Sequence, residues 1–572
     1  MEKKRNAVLF PSVDKPWQKF YSEEAVRAEL PKKTIYEYLL DASKDHMDDI
    51  AIIYFNRKIT YRSLFQSIDQ AYRSFHALGV KPGEYVVICS VNTPEVFAAF
   101  YALNRIGAVA CMVDPRTNTS RIEDFMKASN TRKAVVLENA LPRMDKIYAD
   151  GAVDNVIVVS VADSMDAATG VGYFLKTKGK KPAKQNAFLS WKQFLALRPY
   201  HECKDATYIK GAPAAVVFTG GTTGVPKAAV LSNDSLNAVT IEYKTNGMDY
   251  RREERFLNIM PPFIAYGIAC GLNMPLAIGL TNVIVPAFDP EDFASLVMKY
   301  KPQHFIGVPM HFERLIKNKK LQKADLSFIK TAAAGGDAMN PASERQINAF
   351  FTSHNCKFEI IKGYGMTELG SAAVTTLFKV NKLGSVGIPL PLMNVSVRSS
   401  ETGKELPCCE EGELYMSGPS QMIGYFGNEE EYRKLASVDA DGTVWIKTGD
   451  IGYMDDEGFI FLRGRKKRMI IRPDGHNVWP SVIDDVICQH PLVESCATVG
   501  RPNELGTGGK IPTAFVVTVD RKPLTEAQIA SLDAFCKEHL PERDCAMAYR
   551  SIDALPMTPI GKVDYLSLEK MD

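Results

Sequence analysis

The sequence predicts an α/β fold, and two observations lead to this prediction. Short β-branched segments alternate with helical ones from Lys58 onward, which is the pattern of layered α/β domains. Strand-like YVVICS begins at Tyr85, helix-like PEVFAAFYALNRIG at Pro94, and strand-like AVACMV, KAVVLE and NVIVVSV follow. The composition, 46% hydrophobic and 24% charged over 572 residues, is that of a globular chain that buries roughly three quarters of its unfolded surface.

The net charge argues against two classes of partner. The chain carries 69 Lys and Arg residues against 67 Asp and Glu residues, a net charge of +2. No bulk field therefore attracts a nucleic-acid backbone or an anionic membrane, and an anionic substrate would bind through local groups. The longest apolar segments, such as VFAAFYAL and MPLAIGL, are shorter than the roughly 20 residues that cross a bilayer. We expect no nucleic-acid partner and no integral membrane segment.

The cysteines and the N-terminal residues indicate a compartment. The 11 cysteines are odd in number and form no C-x-x-C pair, which favours free thiols in a reducing environment. The N-terminal stretch MEKKRNAVLFPSVDKPW contains no apolar run of signal-peptide length. We therefore expect a cytoplasmic protein.

One lysine-rich stretch has two readings. The segment YFLKTKGKKPAKQN concentrates five lysines between residues 176 and 184. Such a segment suits a solvated surface insertion. The less favoured alternative, with Tyr173, Phe174 and Leu175 as its apolar part, is a patch that lies against a membrane or steers a polyanion.

A change of character near Arg465 predicts a domain boundary. Gly-rich, strand-rich segments such as GELYMSG and GFIFLRG precede it. After it, TAFVVTV predicts a strand and EAQIASLDAFCKEHL an amphipathic helix. We place the boundary between Gly464 and Lys467, which gives an N-terminal domain of residues 1–465 and a C-terminal domain of residues 466–572.

The strongest local signal is VVFTGGTTGVPKAAV, residues 216–230. An apolar strand leads into glycines and threonines, and Lys227 follows. Glycines let backbone N–H groups approach an anion, and hydroxyls and a lysine add donors, so the composition suits polyphosphate. The stretch differs from the G-x-x-x-x-G-K-[ST] loop, because Ala228 stands where that loop has a hydroxyl. A Gly/Thr turn between two strands has the same composition.

Further motifs follow in order along the chain. IIKGYGMTELGSA spans residues 360–372, AAAGGDAM precedes it, and KTGDIGYMDDEGFIFLRGRKKRMI and LPMTPIGKVDY come later. Together they resemble the acyl-adenylate-forming enzymes, which include acyl- and aryl-CoA ligases, luciferases and the adenylation domains of peptide synthetases. The resemblance extends over nearly the whole chain, from ITYRSLFQSIDQ to GKVDY.

The resemblance implies both an architecture and a reaction. The expected fold has a large N-terminal domain of layered α/β subdomains with a β-barrel-like portion, and a small, mobile C-terminal α+β domain that closes over the site. A carboxylic acid and MgATP would form acyl-AMP and pyrophosphate, and a thiol would then displace AMP. The expected cofactors are ATP, Mg²⁺ and coenzyme A.

Site residues are also implied by the resemblance. The residues expected around the β- and γ-phosphates are Thr219, Thr222, Thr223 and Lys227. Thr367 would contact the α-phosphate and Glu368 would hold the magnesium ion. Those expected around adenine are Tyr364, Gly335, Gly336 and Asp337. Asp450, helped by Arg465, would bind the ribose hydroxyls.

Three more positions carry expected roles in catalysis and domain motion. Lys562 would lie between the substrate carboxylate and the α-phosphate, where loss of such a donor typically lowers the rate by about 10²–10³-fold. Lys467 matches the family's hinge. Gly475 matches the glycine that lets the pantetheine arm of CoA pass close to the backbone, although a turn after Pro473 and Asp474 would also place a glycine there.

Some positions depart from the family pattern. Gly220 replaces the usual serine, Ala228 the usual glycine, Ile264 the usual histidine beside the acyl pocket, and Val482 a common acid. Because these changes leave Glu368, Asp450 and Lys562 in place, we expect an active enzyme.

The sequence favours an acid–CoA ligase for an apolar fatty or aryl acid. Residues 264–271, IAYGIACG, are apolar or small where the family lines its acyl pocket, and an unpaired ammonium there would be costly. The alternative is a freestanding adenylation enzyme that loads a carrier-protein thiol. A third hypothesis is a catalytically idle nucleotide-binding relative, against which the presence of Lys562 argues.

Overall fold

A computed structural model describes residues 8–166, 169–170, 172, 188–199, 202–219, 226–503, 508–558 and 563–571. The strands of the N-terminal half, in chain order, are β1 (Ile50–Tyr54), β2 (Arg57–Thr60), β3 (Tyr85–Cys89), β4 (Val109–Val113), β5 (Lys133–Leu137), β6 (Asn155–Val159), β7 (Phe188–Ser190), β8 (Pro213–Phe218), β9 (Ala228–Ser232), β10 (Arg255–Asn258), β11 (Thr281–Ile284) and β12 (His304–Gly307). The later strands are β13 (Thr331–Gly335), β14 (Ile361–Met366), β15 (Ser371–Thr375), β16 (Ile388–Pro389), β17 (Asn394–Arg398), β18 (Gly412–Ser417), β19 (Gly424–Tyr425), β20 (Ala436–Val438), β21 (Val444–Met454), β22 (Ile460–Arg465), β23 (Ile470–Ile471), β24 (Asn477–Val478), β25 (Val493–Pro502), β26 (Lys510–Thr518) and β27 (Ala548–Ser551).

The α-helices among the described residues alternate with these strands. They are α1 (Pro11–Asp14), α2 (Glu23–Val26), α3 (Ile35–Ser43), α4 (Tyr61–Ala77), α5 (Pro94–Ile106), α6 (Thr119–Ala128), α7 (Leu141–Ala149), α8 (Trp191–Leu195), α9 (Asn233–Thr245), α10 (Met274–Ile278), α11 (Phe293–Tyr300), α12 (Pro309–Lys317), α13 (Pro341–Ser353), α14 (Glu429–Leu435), α15 (Pro480–Ile487), α16 (Glu526–His539) and α17 (Tyr565–Lys570). The elements predicted from the sequence at residues 85–90, 94–107, 108–113, 133–138, 155–161, 513–519 and 526–540 are thereby confirmed as β3, α5, β4, β5, β6, β26 and α16.

Two large sheets build the N-terminal part. One has nine strands in the order β16-β15-β14-β13-β12-β10-β11-β1-β2, and the other has eight in the order β19-β9-β8-β4-β3-β5-β6-β7. Their central strands run parallel, and β8 and β9 form an antiparallel hairpin. Parallel strands buried on both faces require helices on each side, as the alternation of helices and strands provides.

Side-chain alternation along β3 shows how the eight-stranded sheet is covered. Val86 and Ile88 face a core that is shared with the nine-stranded sheet and α5. Val87 and Cys89 face the opposite side, where α6 and α7 pack. Successive strand residues point to opposite faces, so the sheet lies between two apolar layers. The predicted layered α/β architecture is confirmed.

A third, antiparallel sheet corresponds to the predicted β-barrel-like portion. Its strand order is β17-β18-β21-β20, and β22 also pairs with β21. Within the described residues β17 and β20 do not pair, so this sheet is open. It brings Asp450 on β21 opposite Arg465 on β22.

The residues after β22 form a small α+β unit. The sheet β25-β26-β27 packs one face on α15 and α16, through Ile483, Leu532 and Val516. Lys467 lies exposed in the short helical turn Lys466–Arg468. That this turn is the domain boundary and hinge stays a prediction. None of the described helices is long and apolar enough to span a bilayer.

Candidate active site

The turn between β14 and β15 places two of the predicted residues. β14 ends at Met366 and the helical turn Thr367–Leu369 follows directly. A Cβ atom at Gly365 would lie 1.9 Å from the Ser371 carbonyl oxygen, so only glycine allows β15 to return this closely. Glu368 is buried at 8% exposure.

The neighbouring strand ends at the same edge of the sheet. β13 runs parallel to β14, with Gly335 opposite Gly363, and Gly336 follows at φ +84°. Ligands of open α/β sheets bind beyond the carboxyl ends of such strands. Gly335 and Gly336 therefore lie at the carboxyl end of β13, next to the strand that leads into the Thr367–Leu369 turn. That they and Asp337 belong to one binding site with this turn stays a prediction.

Asp450 forms the second part of the site. It is 5% exposed, and its Oδ1 lies 2.9 Å from Arg465 Nε. The Tyr364 hydroxyl donates to Oδ2 at 2.6 Å, and Arg465 Nη1 donates to the Thr448 carbonyl at 2.9 Å. Burial raises the pKa of Asp450 and Arg465 opposes that rise. The structure thus joins Tyr364 to Asp450 and Arg465 in one hydrogen-bonded group.

The β8–β9 hairpin carries the predicted phosphate loop. Thr219 N donates to the Lys227 carbonyl at 2.8 Å, and Lys227 N donates to Thr219 Oγ1 at 3.3 Å. These two bonds close the base of the hairpin. Residues 220–225, which include Thr222 and Thr223, lie outside the described residues.

The Lys227 side chain contacts two residues that the sequence analysis did not identify. Its Nζ bonds the Glu431 carboxylate and lies 5.2 Å from the centroid of the Tyr425 ring. The Tyr425 hydroxyl donates to Glu368 Oε1 at 2.6 Å. Tyr425 therefore links Lys227, the predicted phosphate lysine, to Glu368, the predicted metal ligand, and Glu431 contacts the same lysine.

The donor set at Glu368 fits a magnesium ion. Carboxylate oxygen is a hard ligand of the kind Mg²⁺ takes, and Mg²⁺ usually keeps several waters and binds one or two carboxylates together with phosphates. Among the described residues no group of three His, Cys, Asp or Glu side chains forms a protein-only metal cage. One buried carboxylate, joined through Tyr425 to Lys227, fits a MgATP site in which phosphates and waters would supply the other oxygens.

Comparison with known proteins identifies the family. The profile of the AMP-binding enzymes matches residues 39–426, and that of the AMP-binding enzyme C-terminal domain matches residues 482–562. The chain belongs to the AMP-binding enzyme family. The resemblance inferred from the sequence motifs is confirmed.

Individual relatives of this AMP-binding enzyme extend over most of its length. A long-chain-fatty-acid–CoA ligase of Bacillus subtilis is 28% identical over 96% of both chains. A probable 4-coumarate–CoA ligase of Dictyostelium discoideum is 27% identical over 90% of this chain and 91% of its own. The crystal structure of the anthranilate CoA ligase AuaEII with anthranoyl-AMP shares the fold, with a TM-score of 0.81, 21% identity and coverage of 94% and 97%.

The acyl-pocket segment of this AMP-binding enzyme folds as a π-helical turn. Gly267–Asn273 forms that turn and is buried, and a Cβ at Gly267 would lie 1.6 Å from the Pro261 carbonyl oxygen. A Cβ at Gly335 would lie 3.6 Å from the Tyr266 ring, and Cys270 Sγ lies 3.3 Å from Ser371 Oγ. The segment therefore lies against the same strand ends as the adenylate residues.

Other predicted residues stay without a structural test. Lys562, Gly220 and the lysine-rich segment 176–184 lie outside the described residues. Gly475 takes φ +83° in the turn where its N–H donates to the Arg472 carbonyl at 2.9 Å. This geometry accounts for a glycine there as a turn residue, and its role toward CoA stays a prediction.

Two of the remaining departures lie within regular elements. Ala228 begins β9 and Val482 lies in α15. The two residues missed by sequence, Tyr425 and Glu431, follow the family-like segment GELYMSG in GYFGNEEEYRK. The adjacent Gly-Tyr and the run of three glutamates were available as signals, but neither motif suggests a partner some 200 residues earlier.

Proposed function

We infer that this protein is an AMP-forming acid–CoA ligase that activates an apolar fatty or aryl acid with ATP and Mg²⁺ and transfers the acyl group to CoA. The observation that carries the inference is a set of contacts. Tyr364 on β14 bonds Asp450, and Tyr425 joins Glu368, in the turn after β14, to Lys227 at the base of the β8–β9 hairpin. The CoA ligases among its relatives extend over nearly the full chain.

The first half-reaction needs charge neutralisation and alignment. A carboxylate is a poor nucleophile toward an anionic α-phosphorus, so positioned cations and donors must offset the repulsion. Lys227 and Thr219 would bind the β- and γ-phosphates, and Thr367 the α-phosphate. A magnesium ion held by Glu368 would neutralise phosphate charge when bound.

The nucleoside would be held by the Asp450 group. The Asp450 carboxylate would accept hydrogen bonds from the ribose hydroxyls, which gives a charge-assisted contact. Burial raises the pKa of that carboxyl, and the Arg465 guanidinium opposes the rise by favouring the charged form. Tyr364 and the Gly335–Asp337 turn would enclose adenine.

Lys562 and the C-terminal part would serve the two half-reactions differently. Lys562 would stabilise charge that grows at the carboxylate and α-phosphate during adenylation. Rotation at Lys467 would then withdraw it and let the thiol of CoA, passing Gly475, attack the acyl carbon and release AMP.

The acyl pocket favours a substrate without an ammonium group. Ala265, Ile268 and Ala269 are buried at 2% exposure or less, and each methylene buried against them would gain about 0.8 kcal/mol. The buried carboxylate that interacts with Cys270 is Glu242. Burial raises its pKa well above the ordinary value, which disfavours the anion that an ammonium would need as a partner.

The test is pyrophosphate release across a ladder of straight-chain and aryl acids and their α-amino counterparts, with and without CoA. We expect kcat/KM to rise severalfold per added methylene until the pocket is full, and CoA thioester to appear as product. A preference for amino acids, or acyl-AMP that accumulates without passing to CoA, would instead support the carrier-protein loading enzyme.

A Lys562→Ala variant tests the assignment of the half-reactions. It should lose acyl-AMP formation by about 10²–10³-fold and keep thioester synthesis from chemically made acyl-AMP. Equal loss of both half-reactions would contradict the assigned role.

A further inference from the structure

Tyr425 contacts both charged groups that the proposed function places at the phosphates. Its hydroxyl donates to Oε1 of Glu368 at 2.6 Å, and Lys227 Nζ lies 5.2 Å from the centre of its ring. Tyr425 is 7% exposed and Glu368 8%. A buried hydroxyl–carboxylate bond of this length belongs to the strong, charge-assisted class, and a lysine within about 6 Å of an aromatic ring is attracted to its face.

The backbone fixes Tyr425 between these two groups. β19 pairs with β9, so that Tyr425 lies opposite Ala229, two residues after Lys227. Two residues before β19, Met422 N donates to the Glu368 carbonyl at 2.9 Å. Backbone hydrogen bonds therefore join β19 to β9, the strand that directly follows Lys227. Another joins Met422, just before β19, to the turn that contains Glu368.

We propose that Tyr425 is a positioning residue that orients the Glu368 carboxylate toward magnesium through its hydroxyl and supports Lys227 with its ring. The proposal rests on the proposed function, which makes Glu368 the magnesium ligand. With Oε1 held by the hydroxyl, rotation of the carboxylate is restricted and Oε2 would be left to bind the ion. Loss of such an outer-shell partner typically lowers metal affinity by about 10–100-fold.

Two substitutions separate the hydroxyl from the ring. Tyr425→Phe removes the bond to Glu368 and keeps the ring under Lys227, whereas Tyr425→Leu removes both. ATP binding is measured by isothermal titration calorimetry once with Mg²⁺ and once with EDTA. We expect Tyr425→Phe to weaken binding of MgATP by about tenfold and to leave binding of metal-free ATP unchanged within about twofold. Tyr425→Leu should in addition weaken metal-free ATP by about threefold.

A matched control and a structural readout accompany these variants. Tyr453→Phe removes a hydroxyl from a tyrosine that stacks on Phe461 in the β21–β22 pair, and it should leave both affinities unchanged. The thermal midpoint of each variant is recorded. If Tyr425→Phe lowers the midpoint and weakens both forms of ATP by the same factor, Tyr425 has only a structural role and the proposal is wrong.

A Glu368→Gln variant keeps the failure of this proposal distinct from failure of the proposed function. If Glu368→Gln loses the effect of magnesium while Tyr425→Phe retains it, Glu368 is the ligand and Tyr425 does not position it. If Glu368→Gln binds MgATP and metal-free ATP with the wild-type ratio, Glu368 is not the magnesium ligand. That result overturns both the proposal and the metal assignment on which it rests.

Discussion

The nucleotide site and the C-terminal part bury carboxylates in opposite ways. In the site, Asp450 is paired with Arg465 and Tyr364, and Glu368 accepts from Tyr425. On α15, Asp484 and Asp485 have no ion-pair partner among the described residues. Asp484 accepts a weak bond from Cys496 Sγ at 3.6 Å. The first region supplies partners for its charges, and the second removes water without supplying a cation.

The difference determines where each region titrates. Burial raises the pKa of Asp484 and of Asp485 to about 7, because the charged form loses its hydration. At Asp450 the Arg465 guanidinium opposes the same effect. Near neutral pH the acids of α15 therefore change their charge, whereas Arg465 favours the ionised form of Asp450.

The largest expected effect comes from removing a paired acid of the site. Asp450→Asn keeps the shape but loses the charge that holds Arg465 and would accept from ribose. We expect kcat/KM for ATP to fall by about 10- to 150-fold, because hydrogen bonds to a charged group contribute about 1.5–3 kcal/mol. Steady-state pyrophosphate release measures it.

A matched control exists in the same antiparallel sheet. Asp439 pairs with Arg398 through two hydrogen bonds of 3.0 and 2.8 Å, so Asp439→Asn breaks a comparable pair outside the site. It should alter stability and leave kcat/KM for ATP unchanged. Similar losses in the two variants would show that Asp450 acts on folding and not on the nucleotide.

The next effect concerns the unpaired acids of α15. Between about pH 4 and pH 7 the unfolded chain ionises these acids and the folded chain does not, so folding stability falls as pH rises in that window. Each group contributes up to about 1.4 kcal/mol per pH unit. In the wild type, the protection factors of amides in α15 and β25, which correct for the base-catalysed rise of intrinsic exchange with pH, should fall from pH 5 to pH 7. The double variant Asp484→Asn, Asp485→Asn should show a flatter profile, and an unchanged slope would contradict the unpaired state of these acids.

Glu242 sharpens the comparison because it lies in the N-terminal part and is unpaired as well. It is fully buried, and both carboxylate oxygens lack a hydrogen-bond partner among the described residues. Burial raises the pKa of Glu242, as it does for the two acids on α15. The free energy of unfolding should therefore fall as pH rises above about 4.5, where the unfolded chain ionises this group. Glu242→Gln should flatten urea-unfolding stability between pH 5 and pH 7, by up to about 1.4 kcal/mol per pH unit. The control variant Glu430→Gln, at an exposed glutamate, should leave the pH dependence of unfolding stability unchanged.

The smallest effect tests a pair inside the site. Glu431 bonds Lys227 and Lys434, which lowers the pKa of Glu431 to about 2, so it is an anion that phosphate must displace from Lys227. Glu431→Gln should tighten ATP binding by about two- to fivefold, because this is the range expected for loss of an exposed ion pair. The gain in affinity should be smaller at high salt, which screens the pair. Glu430→Gln, on the same helix and paired with Lys434 at 2.7 Å, is the control. Weaker binding in Glu431→Gln would show that Glu431 positions the lysine instead of competing for it.

Local patterns carried most of the fold prediction. β-branched runs such as YVVICS and the apolar periodicity after Pro94 specify a strand and a helix within a few residues, and both were found at β3 and α5. The site was predictable as a list of residues, since Asp450, Arg465 and Glu368 stand in recognisable motifs. Their contacts were not predictable, because the pairing of Tyr364 with Asp450 depends on how the nine-stranded sheet meets the antiparallel one.

Tyr425 and Glu431 show why the remainder needed the structure. Glu431 belongs to three consecutive glutamates, and only the placement of α14 decides which of them reaches Lys227. Glu429 and Glu430 pair instead with Arg433 and Lys434. The orientation of the helix determines which glutamate pairs with Lys227, and the composition and spacing of the sequence do not indicate it.

The pairing of β19 with β9 also has a consequence for biosynthesis. Strands β3 to β9 are complete once residue 232 has been made, but their edge partner, Tyr425 and its neighbour, follows about two hundred residues later. Contacts of such sequence separation form late, because a long loop must close first. During translation the eight-stranded sheet should therefore assemble early with an open edge. A ribosome-stalled chain ending before residue 424 should be folded in part and unable to retain MgATP, which makes nucleotide capture a late event in the life of the nascent protein.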